Sequence, residues 1–263
     1  MWDPKVYQRY GDERSRPFYD LLARVGAEAP AHIVDLGCGP GNLTASLAER
    51  WPDARIEGID SSADMIDSAA ELPEARTGRV GFAVGDVSTW TPPADVDLIV
   101  ANALLQWVPG HRQLVRGWAD GVRPGTWLAF QVPGNFDAPS HQLLRELAAS
   151  PEWAGQIAGL RDSGAGWDPA EYAGDLLEAG CDVDAWETTY LHLLPASSST
   201  PHPVLAWMEG TALRPAKAAL ADRPQDWARF RDQLADRLAK AYPVRHGVVA
   251  FPFRRIFVVG RKR

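Results

Sequence analysis

The sequence predicts an open, mostly parallel α/β sheet of seven strands with a helical cap, and three observations predict it. Five short runs rich in branched apolar residues recur through the first half of the chain. Helical patterns separate them, and the rhythm breaks after about Gly134. Continuous apolar runs, unlike alternating ones, suit strands covered on both faces of a parallel sheet. Strands that alternate with helices imply repeated right-handed crossovers.

The first run is His32 to Leu36, followed by a helix over Asn42 to Trp51 with Leu43, Leu47 and Ala48 on one face. Arg55 to Ile59 is the second strand, and Ser62 to Leu72 the next helix, for which Ser61 or Ser62 is a suitable cap. Val80 to Val84 and Val96 to Ala101 follow as strands. A helix over His111 to Val122 stops at Arg123-Pro124-Gly125 and leads into Trp127 to Val132. Beyond Gly134, Ser140 to Ala149 and Pro169 to Ala179 read as helices and Val183 to Leu194 as a longer strand. Pro195 to Pro203 is a loop, and two helical segments follow, around Pro203 to Leu213 and Pro224 to Tyr242. Arg255 to Gly260 is an apolar strand able to close the sheet edge. The expected organisation is a helical lid over 1–28, a Rossmann-like ligand-binding core over 29–137, cap helices with the sixth strand over 138–250, and the final strand over 251–263.

At 263 residues the chain can bury one sizeable core with a smaller cap. No apolar run approaches the ~20 residues that span a bilayer, and the start Met1-Trp2-Asp3-Pro4-Lys5 lacks a secretory layout, so a cytoplasmic protein with no membrane partner is expected. The formal net charge of -7 argues against a nucleic-acid partner. It leaves room for an anionic small molecule held by a few inward arginines. Cys38 and Cys181 are too few for a disulfide framework, and the scattered histidines suggest no metal. Eleven tryptophans supply core volume and, in part, pocket walls. The oligomeric state stays open, a monomer being compatible.

The first strand runs into Gly37, Gly39 and Gly41, and a helix begins at once. Such a turn lets backbone approach a ligand closely and presents a helix N-terminus to an anion. A purely structural turn is the alternative. The residues after it, Gly41-Asn42-Leu43, exclude a P-loop, and the third glycine of a dinucleotide turn is not at its place. Asp35, just before the loop, would repel a pyrophosphate but welcome a cation. S-adenosylmethionine, with an ammonium, a sulfonium and no phosphate, suits that site. Asp60 ends the second strand about 20 residues on, where ribose hydroxyls would be bound. Asp86 and Val87 follow the third strand, where a loop could read adenine. A turn acid or a helix cap is the plainer alternative for each acid. Cys38 is expected to be a packing residue.

The segments VDLGCGPG, GIDSS, GDV and DLIVANALLQWV together resemble the class I S-adenosylmethionine-dependent methyltransferases over about residues 30–135. The resemblance implies S-adenosylmethionine as cofactor, bound by Asp35, Gly37, Gly39, Gly41, Asp60, Ser61, Asp86, Val87 and Asn102.

Methyl transfer is an in-line displacement in which positioning matters most. A phenol usually wants a base or a metal, and no such cluster is evident, whereas a carboxylate is already ionised at neutral pH. A carboxylate acceptor needs cationic anchors and apolar walls, so no side chain is assigned as general base. Trp207, Thr211 and Arg214 are spaced to share a helical face, with Arg214 at the helix end before Pro215. Tyr7, Tyr10 and Arg14 share a face near the start and could form a lid. Gln106, Trp107 and Asn135 follow the fourth and fifth strands, at the end of the sheet where ligands bind. Ordinary packing is the alternative for each.

The segments WDPKVYQRYGDERSRP, ANALLQWVPGH and WMEGTALRP, with Glu178-Ala179-Gly180-Cys181 and Phe251-Pro252-Phe253-Arg254-Arg255, are similar to the trans-aconitate methyltransferase family over nearly the whole chain. That likeness implies a small polycarboxylate substrate, one carboxylate of which becomes a methyl ester. Three rivals stay open: another small carboxylate or phenol acceptor, a nicotinamide-dependent oxidoreductase, and a non-catalytic cofactor-binding protein.

Overall fold

The computed structural model describes residues 11–160, 168–197 and 201–263, with the side chains of 11–14 left out. Its described strands are β1 (His32–Leu36), β2 (Arg55–Asp60), β3 (Val80–Val84), β4 (Leu98–Asn102), β5 (Trp127–Pro133), β6 (Cys181–Pro195) and β7 (Val248–Lys262). They form one sheet in the order β3-β2-β1-β4-β5-β7-β6. The first five pair in parallel, and β7 runs antiparallel to β5. β1 is buried along its whole length, as a strand covered on both faces must be.

The described helices are α1 (Gly11–Leu22), α2 (Asn42–Arg50), α3 (Ala63–Ala70), α4 (His111–Gly121), α5 (Pro139–Ala148), α6 (Pro169–Glu178), α7 (Pro203–Glu209), α8 (Arg214–Ala219) and α9 (Pro224–Ala241). Each crossover helix buries one stripe. Thr44, Ala45 and Leu47 are buried on α2, and Met65, Ile66 and Ala69 on α3. Ser62 occupies the cap position of α3, but its side chain makes no capping bond. Val115, Trp118 and Ala119 of α4 join a core that includes Leu36, Ile99 and Phe130. Truncating a fully buried member such as Leu36 would cost about 2–5 kcal/mol. Arg112 on α4 grips Asp175 on α6 through two bonds of 2.6 and 3.0 Å.

The last strand departs from expectation in length and place. It was expected over Arg255 to Gly260 at the sheet edge. It spans Val248–Lys262 and lies second from the edge, between β5 and β6. Its first half alternates buried and exposed residues, and Pro252 takes an exposed position, where a missing N–H is tolerable. From Arg255 to Gly260 burial is continuous, which an interior strand requires.

The chain divides into two units. The first comprises residues 1–133, 166–188 and 255–263, and the second 134–165 and 189–254. The first therefore holds the parallel strands and also α1 and α6, which the sequence reading grouped with the lid and the cap. The second has its own aromatic core. Trp153 meets Phe230 edge-on at 5.3 Å, and Tyr242 meets Phe251 at 5.4 Å. His202 starts α7 by accepting from the Val204 N–H with Nδ1, while Nε2 bonds the Tyr242 carbonyl at 3.0 Å. Among the described residues no helix is long and apolar enough to cross a membrane, and no group of side chains is arranged to hold a metal.

Candidate functional site

In the first unit the strand order reverses direction between β1 and β4. Ligands of open α/β sheets bind beyond the carboxyl ends of strands at such a switch point. The loop leaving β1 is tied to β2, because the N–H groups of Gly37 and Cys38 both donate to the Ile59 carbonyl, at 2.7 and 3.1 Å. The Gly39 N–H donates to Asp60 Oδ2 at 3.0 Å, and the Ser62 N–H donates to Asp60 Oδ1 at 2.9 Å. Gly39 and Asp60, both predicted site residues, are thus in direct contact.

The three loop glycines all have positive φ, for different reasons. A Cβ on Gly37 would lie 2.7 Å from Leu104, and one on Gly41 would lie 2.7 Å from both Ala69 and Phe82. Those two positions are closed by the protein's own packing. Over Gly39, among the described residues and its chain neighbours aside, nothing lies within 4 Å of the Cβ position. Gly39 is where a ligand can approach the backbone. Gly41 then caps α2 with a left-handed backbone and no side-chain bond, so the first-turn N–H groups are open to an anion.

Asp35 is only 3% exposed and accepts a 2.6 Å bond from Thr44 Oγ1. Burial raises its pKa to about 7, the Thr44 bond pulls it down, and the Asp60 charge pushes it up again. Cys38 is buried, and burial with the two neighbouring carboxylates pushes its thiol far up. That direction is opposite to what a reactive thiolate needs.

Asp86 is exposed, and Ser88 donates to its Oδ1 through N–H and hydroxyl at 2.8 and 2.7 Å. These bonds hold the carboxyl below its ordinary range. The turn role foreseen as the plainer reading is present at this residue. Val87 beside it is buried, and Ser61 is exposed.

At the end of β4, Asn102 Oδ1 accepts from Gln131 Nε2 at 2.6 Å. Ala103 follows with φ +54°, unusual outside glycine and a form of strain that gathers at functional sites. Gln106 donates through Nε2 to the Ala103 carbonyl, while its Oε1 is buried without a hydrogen-bond partner among the described residues. Trp107 is 36% exposed. Gln131, wholly buried within β5, and Arg255, 6% exposed in β7, were missed by the sequence reading. A polar residue inside a continuous apolar run was the available signal, since burying such a group demands partners.

The second unit holds Asn135, Trp207 and Arg214. Asn135 is 4% exposed, and its Nδ2 is buried with no hydrogen-bond partner among the described residues. Trp207 packs against His192 at 4.7 Å and Phe253 at 5.6 Å. The shared helical face expected for Trp207, Thr211 and Arg214 is not formed. α7 ends at Glu209, Gly210 caps it, and Thr211 lies in a turn. Arg214 opens α8 rather than closing α7, because Pro215 suits a first helical turn. Burial lowers the guanidinium pKa, but arginine stays cationic in proteins. Tyr7 and Tyr10 lie outside the described residues; Arg14 lies on α1, with its side chain outside the description.

Three features suit a ligand that joins a nucleoside to an amino acid. Backbone is open at Gly39. Each oxygen of Asp60 accepts one protein N–H and keeps a lone pair for a hydroxyl. Gln106 Oε1 is a buried acceptor that a donor such as an ammonium would satisfy.

A family model described as a methyltransferase domain matches residues 33–125. Trans-aconitate 2-methyltransferase of Rhodococcus jostii is 52% identical over 99% of both chains. The enzyme of the same description from Mycolicibacterium gilvum is also 52% identical over 99% of both. Among solved structures, the YcgJ protein of Bacillus subtilis superposes with a TM-score of 0.60 at 14% identity, covering 94% of this chain and 98% of that one. This last likeness concerns the fold alone.

Proposed function

The chain belongs to the trans-aconitate 2-methyltransferase family, and from that premise we propose that it transfers the methyl group of S-adenosylmethionine to one carboxylate of trans-aconitate. When bound, the cofactor supplies a sulfonium methyl: a carbon–oxygen bond forms as the carbon–sulfur bond breaks, giving a monomethyl ester and S-adenosylhomocysteine with no proton transferred. The protein's task is positioning and charge.

Gly39 and the first turn of α2 receive the methionine end of the cofactor, and Asp60 binds its ribose hydroxyls. Asp35 favours the cationic centre from behind the loop, and Gln106 Oε1 accepts from the ammonium. Asp86 and Val87 border the adenine. Asn102 and Trp107 complete the ligand-facing end of β4. Arg214 and Asn135 bind acceptor carboxylates, the one as a cation and the other through its free N–H. No side chain acts as base, because the acceptor is already ionised.

The observation that carries this reading is the contact between Gly39, whose outer face is open, and Asp60. The acceptor rests on the half-identical, full-length relatives. A panel of di- and tricarboxylates and phenols, incubated with protein and methyl-labelled cofactor, tests it. Label should pass preferentially to trans-aconitate as a base-labile ester. Transfer to a phenol instead, or none despite cofactor binding, would refute the proposed acceptor.

A further inference from the structure

A hydrogen-bond chain of fixed polarity lies inside the first unit. Arg255 donates through a guanidinium NH group to Gln131 Oε1 at 3.2 Å, and Gln131 donates through Nε2 to Asn102 Oδ1 at 2.6 Å. Asn102 and Gln131 are direct partners across β4 and β5. Arg255 and Gln131 are 6% and 0% exposed, whereas Asn102 is only partly buried.

An amide side chain can be turned either way round, but a guanidinium has donors only. Arg255 therefore fixes Gln131 with its oxygen toward the cation and its NH2 toward Asn102. Asn102 must then accept through Oδ1, which leaves its NH2 as the group not engaged by Gln131. That NH2 has no hydrogen-bond partner among the described residues. It lies at the carboxyl end of β4, beside the positive-φ Ala103.

We propose that Arg255 and Gln131 are positioning residues that hold Asn102 as a hydrogen-bond donor to a carboxylate of a bound ligand. This rests on the reading above, in which both the cofactor and the acceptor carry a carboxylate. Either could be the one that Asn102 meets.

The discriminating variant is Gln131→Glu. It keeps the volume and the contact with Arg255, whose charge keeps the new carboxylate ionised. It removes the donor that faces Asn102. Asn102 then turns its NH2 inward and presents oxygen to the ligand carboxylate. Binding of S-adenosylhomocysteine by calorimetry and acceptor KM are measured together with the melting temperature.

Affinity for S-adenosylhomocysteine should fall about tenfold or more if Asn102 meets the cofactor carboxylate. Acceptor KM should rise by the same order if it meets the acceptor. In both cases Tm should stay near the wild-type value. A folded Gln131→Glu protein with both constants unchanged overturns the proposal. Should that variant not fold, Arg255→Lys, which retains a donating cation, is compared with Arg255→Leu. Only the leucine variant should lose affinity, and equal affinities overturn the proposal. Wild-type protein that binds no S-adenosylhomocysteine would instead refute the proposed function itself.

Discussion

The turn between β1 and α2 and the segment from Trp207 to Arg214 were both expected to carry ligand contacts; the first takes the expected form and the second does not. At the first, strand, turn and helix occur where the local residue order places them, and Asp60 reaches back to the Gly39 N–H. At the second, a face shared by Trp207, Thr211 and Arg214 gives way to a break at Gly210, and Trp207 turns into an aromatic core. The difference lies in range. A glycine turn is determined by residues adjacent in the chain, whereas the end of a seven-residue helix is decided by what packs around it. The cofactor half therefore rests on geometry and the acceptor half on kinship, and the following experiments sharpen or break that contrast.

The largest effect is expected at Gly41. A valine there meets Phe82 and Ala69 at 2.7 Å with φ at +80°, and should lower stability by about 3 kcal/mol or more. Thermal unfolding should show a large fall in Tm, and an unchanged Tm would mean that Gly41 is not structural.

Next comes a pH dependence centred on Asp35. Its carboxyl binds a proton more tightly folded, at about 7, than unfolded, at 3.8. The ligand-free protein should lose stability as pH rises between those values, by an amount on the order of a few kcal/mol. A bound cation offsets that loss, so stabilisation by S-adenosylmethionine should grow from pH 6 to pH 8. Asp35→Asn should flatten the trend, and a wild-type profile in that variant would assign the trend to another group.

Replacing Asp60 with Ala should weaken S-adenosylhomocysteine binding by about 1.5–3 kcal/mol, read by calorimetry. Wild-type affinity would remove its ribose role. The smallest expected effect is at Arg214, where alanine should raise acceptor KM roughly tenfold, about 1.4 kcal/mol, and leave cofactor affinity alone. If neither constant moves, Arg214 has no part in acceptor binding.

The five parallel strands were legible because continuous apolar runs between helical patterns admit few other folds. β7 was legible only from Arg255, where burial becomes continuous. Its alternating first half contains Pro252, a residue that speaks against a strand in isolation. Gly39 and Asp60 could be named from their places after β1 and β2, but not the separate duties of the three glycines. Those depend on Leu104, Ala69 and Phe82, distant in the chain. Gln131 and Arg255 were visible as polar residues in apolar strands, yet the order in which they bond could not be read without the register of β4 on β5.

The most direct test of the cofactor site is calorimetric titration of S-adenosylhomocysteine into wild-type protein and Gly39→Ala, with Tm measured on both. A methyl group there meets no atom of the described residues within 4 Å beyond its chain neighbours, so the backbone cost should be only about 1–2 kcal/mol. Tm should fall slightly and affinity at least tenfold, because that methyl fills the space the ligand needs. Wild-type affinity in the folded variant would contradict a ligand site at Gly39.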